Sequence, residues 1–547
     1  MRKLLTIVAG TLISGSVLAG GLVTNNNQSA MFTRTQNRNA STGIDAVFYN
    51  PAGLTKLGNG FFASVNNQTI FQTQTVTNNY QYLNGTLPRT FIGDVKAPIY
   101  PGVYVVYNAG KLSFSAGFNP IGGGGGATYK TGLPLFESQA ADIPPQLVAQ
   151  GIPTTGYSAK IYFKGSSVYF GYQANVAYKI SDMLSVALGG RLVTAKNTAS
   201  GTITDISINP NYPAFGATYN GTNMVLARTF FTDGATFLTG LYNGANAFVT
   251  GLQPIITGGG GGTLLANGTT VGLTATQVAQ IQGILGAAGL TPAQIGAQTI
   301  ASAQGVLSAA APVFNAKSAG MTAYAAKTGD VAVDAQQTGM GFTPIISVNI
   351  TPVENLDISI KYEFKTKLNL KTKVNDGKDG GGLYIQDSTS IADLPAILFL
   401  GFEYKPVEKL TLSGTFNYYF DKNVDYDGQK NVDIKMIDKN FLEFGLGAEY
   451  GINEKLRISA GWLATVTGVN SLNYNNSLGY STNTNTIGAG FGYRISPKID
   501  LNIGGQYTFY STGSNNLSDV ATGKSYTETY AKKTWLIGVG LDFSFGK

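Results

Sequence analysis

Gly451-Ile452-Asn453-Glu454-Lys455-Leu456-Arg457-Ile458-Ser459-Ala460 is a short polar turn running straight into an alternating strand. Turn residues between period-two runs are the signature of a β-hairpin. The pattern recurs, with turns at Asn108-Ala109-Gly110-Lys111, Ser181-Asp182-Met183, Pro352-Val353-Glu354-Asn355, Pro406-Val407-Glu408-Lys409 and Ser496-Pro497-Lys498. Six hairpins supply twelve strands; one alternating run precedes them (Phe61 to Gln74) and one follows (Trp535 to Phe545), which makes fourteen. Between the short turns lie seven long connections, roughly residues 75–99, 121–165, 200–340, 369–395, 421–440, 466–483 and 511–532. A β-sandwich does not produce so regular an alternation. A bacterial barrel does: it has an even strand number, short periplasmic turns and long external loops. The expected fold is all-β, a 14-stranded antiparallel transmembrane β-barrel over residues 61–547, with 200–340 as a large extracellular insertion. Both chain ends then fall on the periplasmic side.

Alternation also assigns faces. In the last run Trp535, Ile537, Val539, Leu541, Phe543 and Phe545 share one side, and Leu536, Gly538, Gly540, Asp542 and Ser544 the other. The apolar side is expected to meet lipid and the small or polar side to line the lumen. Tyr178, Tyr362, Tyr404, Tyr450, Tyr493 and Tyr507, near strand ends, read as aromatic girdles.

Composition narrows the function. The 547 residues include 71 Gly, 30 Tyr and 29 Phe, only 12% are charged, and there is no Cys or His. Disulfides, thiolate metal sites and Ser-His or Cys-His catalysis are thereby excluded. No carboxylate dyad has a convincing spacing, so no enzyme, metal or cofactor is expected. The net charge of +7 is scattered, without the Lys/Arg block of a nucleic-acid patch. Arg2 and Lys3, the apolar stretch from Leu4 to Val17 and Val17-Leu18-Ala19 read as a cleaved signal peptide over residues 1–19. No stretch has the ~20 consecutive apolar residues of a spanning helix. For an exported chain this leaves a secreted β-protein or a Gram-negative outer-membrane barrel.

Residues 20–60 do not alternate. They contain Asp45-Ala46-Val47-Phe48-Tyr49-Asn50-Pro51-Ala52-Gly53-Leu54. Pro51 fixes its own φ and biases Asn50 to an extended form, while Ala52 and Gly53 permit close backbone approach. This segment resembles the N-terminal hatch of the FadL family, outer-membrane transporters of long-chain fatty acids and aromatic hydrocarbons. Asn50-Pro51-Ala52 followed by Gly53-Leu54, and led by Asp45, carries the resemblance. It implies a plug for the barrel. It also implies a break in the third strand, near which the Asn-Pro-Ala segment packs and through which ligand leaves sideways. Asn119-Pro120-Ile121-Gly122 is the matching candidate, since Pro and Gly both interrupt ladders.

A carboxylate-bearing ligand needs a cation in the lumen. Arg191, Lys361 and Lys365 fall on inward faces, the last two on one face with Glu363. The plainer reading of such charges is mutual ion pairing. In the 200–340 insertion, Thr274 with Gln277 and Thr291-Pro292-Ala293-Gln294 are capping-box starts. Apolar residues at Val278, Ile281, Leu285, Ile300, Ala303 and Leu307 predict two amphipathic helices. The expected function is passive uptake of hydrophobic molecules, long-chain fatty acids first, by a monomer whose partners are the ligand and membrane lipid. The alternatives are a general aqueous porin and a structural or adhesive outer-membrane protein.

Overall fold

The computed structural model describes residues 24–424 and 436–545. The expected signal peptide and the tail after Phe545 lie outside them. Fourteen strands form the wall: β1 (Gly60–Asn78), β2 (Arg89–Ala109), β3 (Leu112–Tyr129), β4 (Thr154–Lys179), β5 (Leu184–Pro210), β6 (Val331–Val353) and β7 (Leu356–Glu363) come first. They are followed by β8 (Ile397–Val407), β9 (Leu410–Tyr419), β10 (Phe441–Gly451), β11 (Leu456–Val466), β12 (Thr484–Ser496), β13 (Ile499–Tyr510) and β14 (Ser525–Ser544). The strands are antiparallel. The sheet closes because β1 pairs on one side with β2 and on the other with β14, from Phe62↔Ser544 to Asn78↔Glu528. Closing the sheet on itself removes the free edge strands of an open sheet. All six turns named from the sequence join neighbouring strands, and Gly110 takes the left-handed φ of +63° in the first.

The faces follow the alternation. Trp535, Ile537 and Val539 stand exposed while Leu536, Gly538 and Gly540 turn inward. Tyr178, Tyr404, Tyr450 and Tyr493 are exposed beside the short turns. Among the described residues no helix is long and apolar enough to cross a membrane.

The wall strands run further than the apolar alternation suggests. β4 and β5 reach 26 and 27 residues, because polar alternation continues the ladder beyond the apolar belt. Connections expected to be loops also hold short strands, at Asn369–Asp379, Thr389–Ile391 and Gly513–Ser518.

Residues 24–59 fold as a hatch with two helices, α1 (Ala30–Thr35) and α2 (Ala46–Tyr49), and a 3-10 turn over Pro51–Lys56. Phe32, Val47, Phe48 and Leu54 share one apolar core with inward residues of the wall (Tyr104, Tyr169, Val193) and of the β7–β8 connection (Leu368, Leu370, Leu394).

A second compact unit comprises residues 139–160 and 204–330. It contains α3 (Ala227–Thr257), α4 (Ala275–Ala287), α5 (Pro292–Gly296) and α6 (Ile300–Lys327), packed around Leu238, Leu252, Ile281, Leu285, Ile300 and Leu307. Capping boxes at Thr274, Thr291 and Thr299 start the last three. Where two helices were expected there are four. The Thr291 box opens only a five-residue helix, and Ile300, Ala303 and Leu307 belong to the next one. The longest, α3, has no side-chain cap and carries Gly234, Gly240, Gly244, Gly251 and Pro254, so its local signal is weak.

Candidate functional site: the hatch, its seat and the adjoining cavity

The hatch is tied together around Asp45. Its carboxylate accepts Nε and Nη2 of Arg38 at 2.9 Å each, Ser41 Oγ at 2.6 Å and Ser29 Oγ at 2.9 Å. Ser29 is also the N-cap of α1, accepting from Phe32 N at 3.0 Å. Burial opposes ionisation of Asp45, but Arg38 and the two serine hydroxyls outweigh it and hold the carboxyl below its ordinary value of 3.8.

The hatch rests on glycines. Arg34 reaches Glu449 of β10, Ser459 Oγ (2.8 Å) and Asn502 Oδ1 (3.1 Å). It can do so because Gly490 and Gly504 lie directly beneath it, while Gly447 and Gly461 face Thr35 O and Gly488 faces Thr33 O. A Cβ at any of these would collide with the hatch. Inward-facing glycines on β10–β13 were the sequence signal for this seat.

The motif residues dock elsewhere. Asn50 donates to Ser41 O (3.1 Å) inside the hatch and to Asn349 Oδ1 (2.7 Å) on β6, and accepts from Ser347 Oγ (3.2 Å). Pro51 opens the 3-10 turn. Ala52 is buried against Ala177 and Ala187, and its carbonyl accepts from Ser185 Oγ of β5 at 2.8 Å. A Cβ on Gly53 would strike Asn50 and Ser41 O. The triplet therefore anchors the hatch to β5 and β6 by hydrogen bonds. The hatch residues bonded to the irregular part of β3 are Thr24, which bridges Gly122, Asn25, whose N donates to Ile121 O at 2.8 Å, and Gln28, whose Nε2 donates to Pro120 O at 2.8 Å.

The three lumenal cations have acidic partners. Arg191 gives two parallel 2.7 Å bonds to Glu363 and two more to Gln173 Oε1. Lys361 bonds Glu363 Oε1 (2.9 Å) and Phe48 O (2.7 Å), and both cations stack on the Phe48 ring. Arg191 is 3% exposed and Lys361 0%. Lys365 lies beyond the end of β7 and pairs with Asp393 at 2.8 Å. The charges follow the plainer reading, mutual ion pairing: Glu363 was already visible on the same face, but only the register β5–β6–β7 puts Arg191 beside it. A ligand carboxylate reaches Arg191 or Lys361 only by displacing Glu363 and the hatch.

Beside the hatch is a cavity of about 380 Å³, between hatch residues 24–27 and the wall. Its lining is rich in tyrosine, including Tyr100, Tyr129, Tyr419, Tyr480 and Tyr510. Lys532 of β14 also faces it. Lys532 Nζ donates to Tyr480 O (2.8 Å), lies 4.4 Å from the Tyr480 ring centre, and has no ion pair among the described residues. Sequence reasoning missed it because the flanking Lys533 faces outward and the pair reads as surface charge.

The cavity adjoins an irregular stretch of wall. β2 pairs with β3 from Ala109↔Leu112 to Val103↔Phe118, then only again at Val95↔Ala127. Residues 96–102 and 119–126 thus face each other without ladder bonds. On the far side of β3 the register to β4 shifts between Pro120 and Gly122 and between Gly122 and Gly125. Gly123 sits at φ +98°, where a Cβ would meet Ser167 O, so this turn of the chain requires glycine. Val95, Ala97, Tyr100 and Gly123, which border the gap, also line the cavity.

These features define a class: a closed fourteen-stranded β-barrel stoppered by its own N-terminal segment. Among solved structures, the chain matches a FadL homologue of Pseudomonas aeruginosa at 13% identity, covering 96% of this chain and 100% of that one, with a TM-score of 0.54. The toluene transporters TodX of P. putida (12% identity, 92% and 95% covered, TM-score 0.46) and TbuX of Ralstonia pickettii (14%, 92% and 94%, 0.44) also align. No family model and no curated protein matches the chain. The likeness is one of fold, and that fold is the FadL-type barrel.

Proposed function

We propose that this protein is an outer-membrane channel for passive uptake of hydrophobic molecules, long-chain fatty acids first among them, with sideways exit into the bilayer. The carrying observation is the unpaired interval between β2 and β3 beside the tyrosine-lined cavity. A barrel stoppered by its hatch offers no wide aqueous bore, and an interval without ladder bonds is where its wall can part to lipid. Lys532 would meet the ligand's carboxylate, as it spends one of its donors on Tyr480 O and packs its charge on a ring. In this reading the chain is a monomer in a Gram-negative outer membrane, exported by a cleaved signal, with both termini periplasmic.

The test is transfer of radiolabelled oleate against a small sugar in liposomes carrying the protein. Oleate transfer without sugar flux is expected; rapid sugar flux without oleate would make the protein a porin. Lys532→Met should slow oleate on the order of tenfold, the usual scale of one charge-assisted hydrogen bond, and leave a neutral hydrocarbon unchanged.

A further inference from the structure

The phenol of Tyr100 reaches directly across the interval between β2 and β3. β2 bulges outward at Pro98 and Ile99, where Asn67 Nδ2 and Thr69 Oγ1 hold Pro98 O and the Ile99 side chain is 74% exposed. The bulge turns the next side chain, Tyr100, back into the gap. Its hydroxyl donates to Pro120 O on β3 at 2.6 Å and accepts from Asn25 Nδ2 of the hatch at 2.6 Å. The ring itself lines the cavity. So Tyr100 touches all three pieces that meet there: the outer lip, the inner lip and the plug.

Next to this bond the wall is under-satisfied. Asn119, immediately before Pro120, is 1% exposed, and neither end of its amide has a partner among the described residues. An orphaned buried amide raises the free energy of the arrangement that buries it. The closed wall is therefore held by bonds at Pro120 O, which accepts from Tyr100 and also from Gln28 Nε2 at 2.8 Å, and opposed by a specific cost at the neighbouring Asn119.

We propose that Tyr100 is the gating residue of the lateral window: its phenol, bonded to Pro120 and Asn25, closes the path from cavity to bilayer and limits the rate and width of ligand passage. This rests on the sideways-exit reading above. A linear hydrocarbon chain slips past a displaced ring, and a bulkier ligand requires the ring to leave altogether.

The chain has no cysteine, so a single one can be placed at will. The experiment uses the full-length protein in liposomes and follows a fluorescent fatty acid into two compartments, the bilayer and the vesicle lumen. Tyr100→Phe keeps the ring and removes both bonds. It should speed delivery to the bilayer on the order of fivefold, the scale of one ordinary hydrogen bond. Tyr100→Cys should be faster still, and modification with a bulky maleimide should drop it below the parent. Delivery to the bilayer at the parental rate in all three forms overturns the role of Tyr100. Appearance of the ligand in the lumen instead, whatever stands at position 100, overturns the sideways exit itself. Tyr100→Phe alone suffices if the cysteine variant fails to fold.

Discussion

Arg38 and Asp45 meet edge to edge, two nitrogens of the guanidinium each donating at 2.9 Å to a different carboxylate oxygen. Glu403 of β8 stands 3.7 Å from the same guanidinium, so the pair links the fold of the hatch to the wall. Removing one partner of a buried pair leaves an uncompensated charge and costs about 3–5 kcal/mol. Asp45→Asn should loosen residues 30–56 while the strands stay protected, as read by amide hydrogen exchange.

The same pair sets an acid limit. Asp45's carboxyl titrates below its ordinary 3.8 when folded, so its stabilisation is complete above that value and is lost as pH falls through the depressed one. Asp45's share of hatch protection, read as the difference between the parent and Asp45→Asn, should stay flat from pH 8 to about 4, the unfolded-state value, and fall only below it. A difference that changes between pH 5 and 7 would contradict this.

The glycine seat makes a steric prediction. Gly461→Ala places a methyl against Thr35 O and should cost the hatch about 1–3 kcal/mol. Gly505→Ala on β13, where the new atom meets only ordinary contact with Leu536 O at 3.8 Å, is the control and should change little. Limited proteolysis of the hatch separates the two; equal susceptibility would remove the seat from the argument.

The Arg191–Glu363–Lys361 cluster has two cations on one carboxylate, all buried. Glu363→Gln leaves both cations unneutralised and should destabilise the protein by about 3–5 kcal/mol. Adding Arg191→Gln and Lys361→Met to it should recover most of that loss in denaturant unfolding, because no charge is then stranded. A triple variant no better than the single one would refute the account.

The insertion should be dispensable for folding. β5 and β6 are paired out to Ile203↔Val331, and the helical core is built from residues within 238–314. Replacing residues 204–330 by a short Gly/Ser turn should leave a barrel with parental unfolding behaviour, since lengthening or shortening a loop changes closure entropy only slowly. Loss of the folded barrel would show that the two units depend on each other.

Much of this molecule was legible one residue after another. The fourteen strands, their six short turns and the face of each residue follow from period two and turn chemistry, both of which act over a few neighbours. The Thr274 and Thr291 boxes are equally local, whereas α3 escaped notice because nothing caps it. Of the cations singled out beforehand, Arg191 and Lys361 do face inward, but the carboxylate between them comes from the strand of one and reaches the other only through the register of three strands.

Alternation along the chain thus determined that it is a barrel and which side of each strand is greasy, since a strand that placed these residues otherwise would bury polar groups in apolar surroundings. Tertiary structure alone decided that β2 and β3 part beside a cavity, that Tyr100 reaches across the gap, and that Lys532 meets no carboxylate among the described residues. Those relationships join residues brought side by side by closure of the sheet and insertion of the hatch. No local pattern encodes such distances, because they are set by the sum of every register between the two partners.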